Sequence, residues 1–392
     1  MKILLIHTEY KDRGGEETLV DTEMQLLKSA GHEVDLLRFR NAPTALKGVF
    51  QFIFLPFNLH SFLRTRKKIH DFKPDIVHLH NWHFAASPSV IVAAQREAVS
   101  IVSSLHNFRL ICPSAILFHR NKVFLDSIKE AFPWKAIYLG VYRNSRLLTF
   151  WLAFTVYLHT KLKTWQRVNR YVINSEAEKE FFIQSKMPLT AEKFTIKYNS
   201  LPTKKIKGNN RRQDHFLFVG RLVEEKGVRL LLDVFSKIDL KLVIYGYGPL
   251  ESEVAKAAGK NTNITFGGAL PLDRFPQELA KCTAFIFPSI WFEGMPMTLV
   301  EAFATGTPVI ASNLGAASSM IIDQINGLHF RAGDAKHLAD KLLYWMQLSR
   351  NARLEYEKRT RQIYLRDYTP QANLKSLNAI YQDTNSCAKS DK

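Results

Sequence analysis

With 392 residues the chain is too long for one ordinary hydrophobic core and fits two domains of roughly 150–200 residues each. Its hydrophobic fraction of 46% and charged fraction of 23% argue against a disordered protein, and three cysteines are too few for a disulfide framework or a zinc cluster. The cysteine usage indicates a reducing compartment, hence a cytoplasmic protein, and the net charge of +18 requires an anionic partner: nucleic acid, a phosphate-rich small molecule or a membrane surface.

Short apolar runs alternate with helical patterns along the whole chain. The first run ends before Glu9, Lys11 and Asp12, so it reads as a buried strand and not as a signal peptide. Alternation of strands with helices predicts parallel sheets wound by right-handed crossovers. Strands are predicted at residues 2–6, 34–37, 76–79, 101–105, 170–173, 195–197, 216–219, 242–245, 264–266, 284–287 and 308–311.

The apolar pattern is interrupted between residues 199 and 214, which reads as an interdomain linker. We therefore expect an α/β protein with two Rossmann-like, doubly wound domains that face a central cleft. Residues 1–200 and residues 201–370 would form the two domains, and a C-terminal helix and tail at 371–392 could pack back on the first domain. Open parallel sheets bind ligands at the carboxyl ends of their strands, so functional residues are expected there.

The most specific pattern in the chain follows the strand predicted at residues 284–287. A short loop carries Glu293, and a helix opens around Pro296, which suits a first helical turn because it has no amide hydrogen. Glu301 lies about one turn inside this helix. The helix N-terminus carries a partial positive charge and free amides, which suit a diphosphate, so Glu301 is more plausibly directed at ribose hydroxyls.

Glu293 and Glu301, with seven residues between them, resemble the paired-glutamate signature of the retaining glycosyltransferases of family 4, which have the two-domain GT-B fold. Residues 14–15 and 31–34 are similar to the family's opening glycine loop and second strand. His106 matches its strand-end histidine. Residues 218–222 with Lys226 match the start of its second domain, and residues 246–249 follow the next strand.

The resemblance implies transfer of a hexose-type sugar from a nucleotide-sugar donor to a hydroxyl of a saccharide or lipid-linked saccharide, as in polysaccharide or cell-surface glycan synthesis. Anomeric configuration would be retained. The resemblance also implies that residues 1–200 bind the acceptor and residues 201–370 the nucleotide-sugar donor. The implied catalytic residues are His106, Arg221, Lys226 and Glu293. The implied donor-binding residues are Gly14, Gly15, Gly246, Gly294, Met295, Pro296, Met297, Thr298, Leu299 and Glu301.

No metal and no cofactor is expected, because two cations and a helix N-terminus would take the place of Mg²⁺ at the diphosphate.

Three positions depart from the family pattern. Met295-Pro296 stands where Phe-Gly is commoner, residues 315–319 lack a frequent glutamate, and Asn107 replaces a frequent aspartate. These departures affect the pocket around the transferred sugar and the charge around His106.

Two aromatic-rich apolar runs have cations nearby. Residues 147–158 lie within a stretch, residues 131–175, that contains no Asp or Glu, and residues 49–57 are closely followed by four cations. Twelve helical residues reach only about 18 Å, short of the roughly 30 Å of a bilayer core. The regions 49–68 and 135–170 therefore predict contact with an anionic membrane surface at the cytoplasmic face, and not nucleic acid, although core packing of residues 147–158 is an open alternative.

Two other interpretations remain. The chain could be a non-catalytic subunit with the same fold that binds nucleotide or scaffolds another enzyme, although the joint presence of Arg221, Lys226, Glu293 and Glu301 argues against it. His78, His80 and His83 occur close together, but with no carboxylate or cysteine nearby in sequence they do not predict a metal site.

Overall fold

The computed structural model of the chain describes residues 1–10, 15–42, 44–201 and 212–390. Two compact units are present: the first comprises Met1–Leu117, Phe124–Asn199 and Pro370–Lys392, and the second Phe118–Val123 and Ser200–Thr369. Most of the predicted linker, residues 202–211, and the predicted donor-binding residue Gly14 lie outside the described residues.

The first unit contains a parallel six-stranded sheet in the order β2-β1-β3-β4-β7-β8. The central strands read as continuous apolar runs because helices cover both faces of such a sheet. Ile3, Leu4, Leu5 and Ile6 are accordingly fully buried. The strands are β1 (Lys2–Glu9), β2 (Glu33–Arg40), β3 (Ile76–Asn81), β4 (Ser100–Ser104), β7 (Arg170–Ile173) and β8 (Phe194–Ile196).

Eight helices before residue 200 accompany this sheet within the described residues. They are α1 (Gly15–Ser29), α2 (Ala45–Ile53), α3 (Leu59–Phe72), α4 (Ser89–Arg96), α5 (Asp126–Lys129), α6 (Trp134–Leu139), α7 (Arg146–Lys161) and α8 (Glu176–Gln184). Helix α7, which contains the apolar run 147–158, buries one stripe including Leu152, Ala153 and His159, while Leu147 is 74% exposed. One face of this helix therefore belongs to the core and another does not.

The second unit repeats the architecture, with a parallel sheet in the order β11-β10-β9-β12-β13-β14. These strands are β9 (His215–Val219), β10 (Lys241–Tyr245), β11 (Ile264–Phe266), β12 (Ala284–Phe287), β13 (Val309–Ser312) and β14 (Gly327–Phe330). The hairpin β5 (Phe118–His119) and β6 (Lys122–Val123) is antiparallel.

The helices after residue 200 are α9 (Val228–Phe235), α10 (Glu251–Lys260), α11 (Phe275–Lys281), α12 (Met297–Ala304), α13 (Ala316–Met320), α14 (Ala335–Gln347), α15 (Arg350–Asp367) and α16 (Pro370–Ser390). Helix α16 belongs to the first unit, where Leu377, Ile380 and Tyr381 pack with Ile3 and Val102 in one core cluster. No helix among the described residues has both the length and the apolar character needed to cross a bilayer.

The predicted α/β fold class with two parallel sheets is confirmed, and a strand is present at each of the predicted positions. Strand β14 was missed because Gly327 and His329 interrupt a short apolar run, and its pairing with β13 is a tertiary contact. The hairpin was missed because two-residue strands carry no periodic signal.

Candidate active site

In the second unit, a tight turn after Lys226 determines where its ammonium group lies. Gly227 has a φ of +72°, and a Cβ at this position would lie 2.1 Å from the carbonyl oxygen of Pro288, so only glycine allows the approach. The amide of Ile290 donates to the carbonyl of Glu225 at 2.9 Å. The loop that follows β12 is thereby held against the turn that precedes α9.

This packing brings Lys226 and Glu293 into direct contact. The Lys226 Nζ lies 2.8 Å from both carboxylate oxygens of Glu293, and the two side chains are only 17% and 11% exposed. The Ser289 hydroxyl and the Trp291 indole N–H also donate to Oε1 of Glu293. The Lys226 ammonium lies 5.7 Å and 5.9 Å from the ring centroids of Phe287 and Trp291, within cation–π range.

The helix that carries the second glutamate begins one residue later than the sequence suggests. Pro296 is the N-cap residue of α12. Glu301 is the fifth residue of this helix, and its side chain is half-buried. Leu299 is fully buried and its amide donates to the carbonyl of Pro296 at 3.0 Å, so this amide already has a partner inside the protein. Four further predicted donor-binding residues are half-buried: Gly294, Met295, Met297 and Thr298.

Helix α13 supports the same loop from the other side. The amide of Ala316 donates to the carbonyl of Glu293 at 3.0 Å. Gly315 has a φ of +57°, and a Cβ at this position would lie 3.0 Å from the amide nitrogen of Glu293. The segment 315–319, which lacks a glutamate, thus has a clear structural role in fixing Glu293.

Arg221 follows β9 and is the most exposed of the predicted catalytic residues, with 54% of its side chain accessible. Its Nη2 lies 3.5 Å from Oε1 of Glu225, a long surface ion pair. Gly246 follows β10, where a Cβ would lie 2.0 Å from the carbonyl oxygen of Gly220. Backbone packing between strand-end loops therefore suffices to explain that glycine.

The remaining predicted residues lie in the first unit. His106 follows β4 and stacks on His80, with ring planes 7° apart and its Nε2 3.3 Å from Nδ1 of His80. Burial lowers the pKa of His106 to about 4, so its imidazole is neutral at physiological pH. Asn107 uses its side-chain oxygen to accept a hydrogen bond from the amide of Arg109.

Gly15 is the exposed first residue of α1, and a Cβ there would meet no described atom within 4 Å.

Sequence reasoning missed the charged pair behind His80. Glu23 of α1 and Lys197 after β8 form an ion pair of 2.8 Å with side chains 1% and 2% exposed, and Oε2 of Glu23 lies 3.7 Å from Nε2 of His80. Burial opposes ionisation of Glu23, but Lys197 and His80 hold its pKa below the ordinary value. The sequence did contain an indication of this buried carboxylate. Glu23 lies three residues after Val20 and four before Leu27, a spacing that places it on the apolar face of α1.

The histidine cluster has the proximity of a metal site but is engaged in hydrogen bonds. Ligand atoms of Glu23, His78 and His80 lie within 4.8 Å of one another. Both ring nitrogens of His78 have partners, the Tyr381 hydroxyl at 2.7 Å and the Ser104 hydroxyl at 2.8 Å. With Glu23 paired to a lysine, this arrangement fits a hydrogen-bonded network in the core better than a cation site.

Two family models match this chain in succession. Residues 13–205 match the model described as Glycosyltransferase Family 4, and residues 201–363 match the model described as Glycosyl transferases group 1. Together the two matches run from residue 13 to residue 363.

Two curated relatives show the extent of the sequence likeness. An uncharacterized glycosyltransferase of Methanocaldococcus jannaschii is 32% identical over 148 residues, which are 37% of this chain and 42% of that protein. The phosphatidyl-myo-inositol mannosyltransferase of Mycobacterium leprae is 35% identical over 133 residues, 32% of this chain and 36% of that protein. The matched segment thus spans less than half of the length of either relative.

Similarity to solved structures extends over the whole fold. HepE from Anabaena, solved in complex with UDP, has a TM-score of 0.65 at 15% identity, with 97% of this chain and 100% of that chain covered. At this identity the likeness shows the fold, which is of the GT-B type. Taken with the two family models, it shows that this chain belongs to the glycosyltransferases of family 4.

Proposed function

We propose that this protein transfers a hexose-type sugar from a nucleotide-sugar donor to a hydroxyl of a saccharide or lipid-linked saccharide acceptor, with retention of anomeric configuration. The observation that carries the proposal is the preformed contact of Lys226 with Glu293 beside the N-terminus of α12. A cation, a carboxylate and free helix amides side by side suit a ligand with both a diphosphate and sugar hydroxyls.

Arg221 and Lys226 are proposed to bind the donor diphosphate and to stabilise the charge that develops as the bond to the sugar breaks. Such fixed charges act without reorganisation during the reaction, and they would make a metal ion unnecessary. The exposure of Arg221 leaves its guanidinium accessible to a ligand. The UDP bound by HepE, a protein of the same fold, supports a nucleotide-sugar donor.

In the proposed reaction Glu301 binds the ribose and Glu293 binds a hydroxyl of the transferred sugar. The bond between the anomeric carbon and the diphosphate oxygen breaks, and the acceptor oxygen forms the new bond on the same face. The acceptor proton passes to the departing phosphate oxygen, so no covalent enzyme intermediate is required. His106, neutral because burial lowers its pKa to about 4, can hydrogen-bond to the sugar or the acceptor without adding charge.

We propose that the acceptor is presented at the cytoplasmic face of a membrane, in the synthesis of a polysaccharide or cell-surface glycan. Helix α2 and the loop after it expose apolar side chains, with Phe50 and Phe54 each 55% and Ile53 51% accessible. Cations follow in α3, and such a combination suits an anionic bilayer surface. The lipid named as acceptor of the M. leprae relative supports this assignment.

The decisive experiment is a thermal-shift and transfer panel with UDP-, GDP- and ADP-linked sugars. A donor at 100 times its dissociation constant should stabilise the protein by about 2.7 kcal/mol. Glu301→Ala should reduce this shift, because the ribose loses a charge-assisted hydrogen bond of roughly 1.5–3 kcal/mol. Arg221→Ala should lower turnover more than donor affinity, because its charge matters most as the leaving diphosphate forms.

The control is Glu253→Ala, which breaks the exposed Arg229–Glu253 ion pair of the same unit and should leave both measurements unchanged. Normal transfer by both Glu301→Ala and Arg221→Ala would show that the donor site is assigned to the wrong residues. Donor binding without transfer to any saccharide or lipid-linked acceptor would favour a non-catalytic nucleotide-binding subunit.

A further inference from the structure

An apolar groove lies between α2 and α7 in the first unit. It encloses about 940 Å³, and its walls include Val49, Phe52, Phe84, Leu148 and Trp151. The indole N–H of Trp151 donates to the carbonyl of Phe52 at 2.7 Å, and the rings of Phe52 and Phe84 lie 6.0 Å apart. Small-molecule sites typically enclose about 300–1,000 Å³, so the groove is large enough for a ligand.

Some apolar side chains in the lining of this groove are exposed. Val49 is 54% exposed and Leu147 is 74% exposed, and both line it. A contiguous exposed apolar surface of this kind indicates binding to an apolar partner. A groove with apolar walls between two helices suits a hydrocarbon chain.

The lining of the groove includes a cation. Arg143 lines it and is exposed. No Asp or Glu occurs between residues 131 and 175, and no carboxylate pairs with Arg143 among the described residues. The charge of Arg143 is therefore available to a ligand in the groove.

A second cation lies nearby. Burial lowers the pKa of His83, and the positive charges of Arg109 and Arg143 lower it further, so both guanidinium groups act on this one ring. The His83 ring packs on Phe84 of the groove wall with centroids 3.6 Å apart. The buried Nε and Nη1 of Arg109 have no hydrogen-bond partner among the described residues.

Glu16 is the acidic residue that acts electrostatically on Arg109, but it does not neutralise the guanidinium group. Burial, and then the charge of Glu17, raise the pKa of Glu16 to about 8, so Glu16 is protonated at neutral pH. Arg109 also lines a small polar cavity with His83 and His106. Arg109 thus shares a cavity with His106, and that cavity also includes His83, whose ring packs on the groove wall.

We propose that this groove, together with Arg143 in its lining and the neighbouring Arg109, forms the acceptor site for a phosphate-bearing lipid. The apolar chain lies between α2 and α7, the phosphate pairs with Arg109 and Arg143, and the acceptor hydroxyl continues toward His106. Charge complementarity selects this occupant, since a neutral lipid or a neutral saccharide would leave both cations unpaired. The inference rests on the proposed transferase function and names its acceptor class.

The site can be probed without the natural acceptor, by isothermal titration of the full chain with monomeric alkyl phosphates. Decyl phosphate should bind at least about a hundredfold more tightly than butyl phosphate, because each additional buried methylene strengthens binding about fourfold. Decanol and inorganic phosphate should each bind much more weakly than decyl phosphate. Decanol has the alkyl chain but no phosphate, and inorganic phosphate has the charge but no alkyl chain.

Two pairs of variants separate the apolar and the charged parts. Arg143→Ala should weaken decyl phosphate about tenfold or more, the loss of one charge-assisted contact, and leave decanol unchanged. Its control, Arg146→Ala, removes an exposed cation that lies over Tyr138 and outside the groove. Val49→Gln should weaken decyl phosphate but not butyl phosphate, while Ile183→Gln, a 44% exposed apolar residue of α8, should change neither.

Equal binding of decyl and butyl phosphate, or equal losses in the control variants, would overturn the proposal. Binding to anionic vesicles without binding of monomeric decyl phosphate would identify a general membrane surface instead. Concentration-dependent dimerisation abolished by Val49→Gln would identify a second copy as the occupant. The donor thermal shift in the same variants keeps the two proposals apart: if it persists while alkyl phosphates fail to bind, only the acceptor site is wrong.

Discussion

Glu23 and Lys197 form a buried ion pair in which each charge is compensated by the other. Both are at most 2% exposed, and their 2.8 Å contact lies behind the His80–His106 stack. Removing one member of a buried pair leaves the other charge without compensation in a region of low dielectric constant. We therefore expect the structural role of this pair to be much larger than that of any surface ion pair.

Glu23→Ala should lower the free energy of unfolding of the first unit by about 3–5 kcal/mol. Hydrogen exchange of the amides of β3 under native conditions measures this local stability. The control is Glu97→Ala, which breaks the exposed pair with Arg66 and should cost less than about 1 kcal/mol. Equal effects of the two substitutions would mean that the buried pair does not stabilise the fold.

At the scale of an element, the start of α8 combines a cap with a buried acid. The Ser175 hydroxyl accepts from the amide of Glu178, and Oε2 of Glu178 accepts from the amide of Asn174. The carboxyl is 1% exposed, and burial raises its pKa from 4.5 to about 7, a shift that the hydrogen bond from Asn174 only partly opposes. The folded state thus retains a proton that the unfolded chain releases at lower pH.

Because the folded pKa exceeds the unfolded one, the stability from protonated Glu178 is complete below pH 4.5 and is lost as pH rises to about 7. Glu178→Gln keeps an amide oxygen for Asn174 but cannot ionise. Relative to wild type it should therefore gain up to about 3 kcal/mol between pH 4.5 and pH 7.5 in urea unfolding. Glu176→Gln, an exposed neighbour, should show no such pH dependence. A constant difference for Glu178→Gln would contradict a raised pKa.

For the whole molecule, we expect the net charge of +18 and the exposed aromatic side chains in and just after α2 to favour binding to an anionic membrane. Anionic lipids attract the cations, and apolar side chains such as Phe50 and Phe54 gain by entering the interface. Neither contribution is large for one residue. We therefore expect that only the sum of many such contributions lets the protein associate with a bilayer.

The protein should co-sediment with vesicles rich in phosphatidylglycerol at low salt, and binding should fall sharply at 0.5 M NaCl because the charges are screened. Phe50→Glu with Phe54→Glu should weaken binding at low salt. The control Leu272→Glu changes an 87% exposed residue of the second unit and should matter little beyond its charge. If wild type stays in the supernatant at low salt, the membrane proposal fails.

The strand pattern was readable because both faces of a parallel strand are buried, so each strand is a short apolar run between polar turns. The run Ala284–Phe287, then Glu293, then the helix with Glu301 follows from local chain order alone. The position of Glu293 against Lys226, 67 residues earlier, does not. That contact depends on how the Gly227 turn packs on Pro288, which no local pattern encodes.

The sequence by itself determined the class of fold, the family and the residue types available for phosphate and hydroxyl binding, because these depend on periodicity and on short motifs. Only the tertiary structure revealed the buried Glu23–Lys197 pair, the stack of His106 on His80 and the apolar groove whose lining includes Arg143. Each of these joins segments far apart in the chain. Burial and proximity, which set the energy of such contacts, are properties of the packed molecule and not of any one segment.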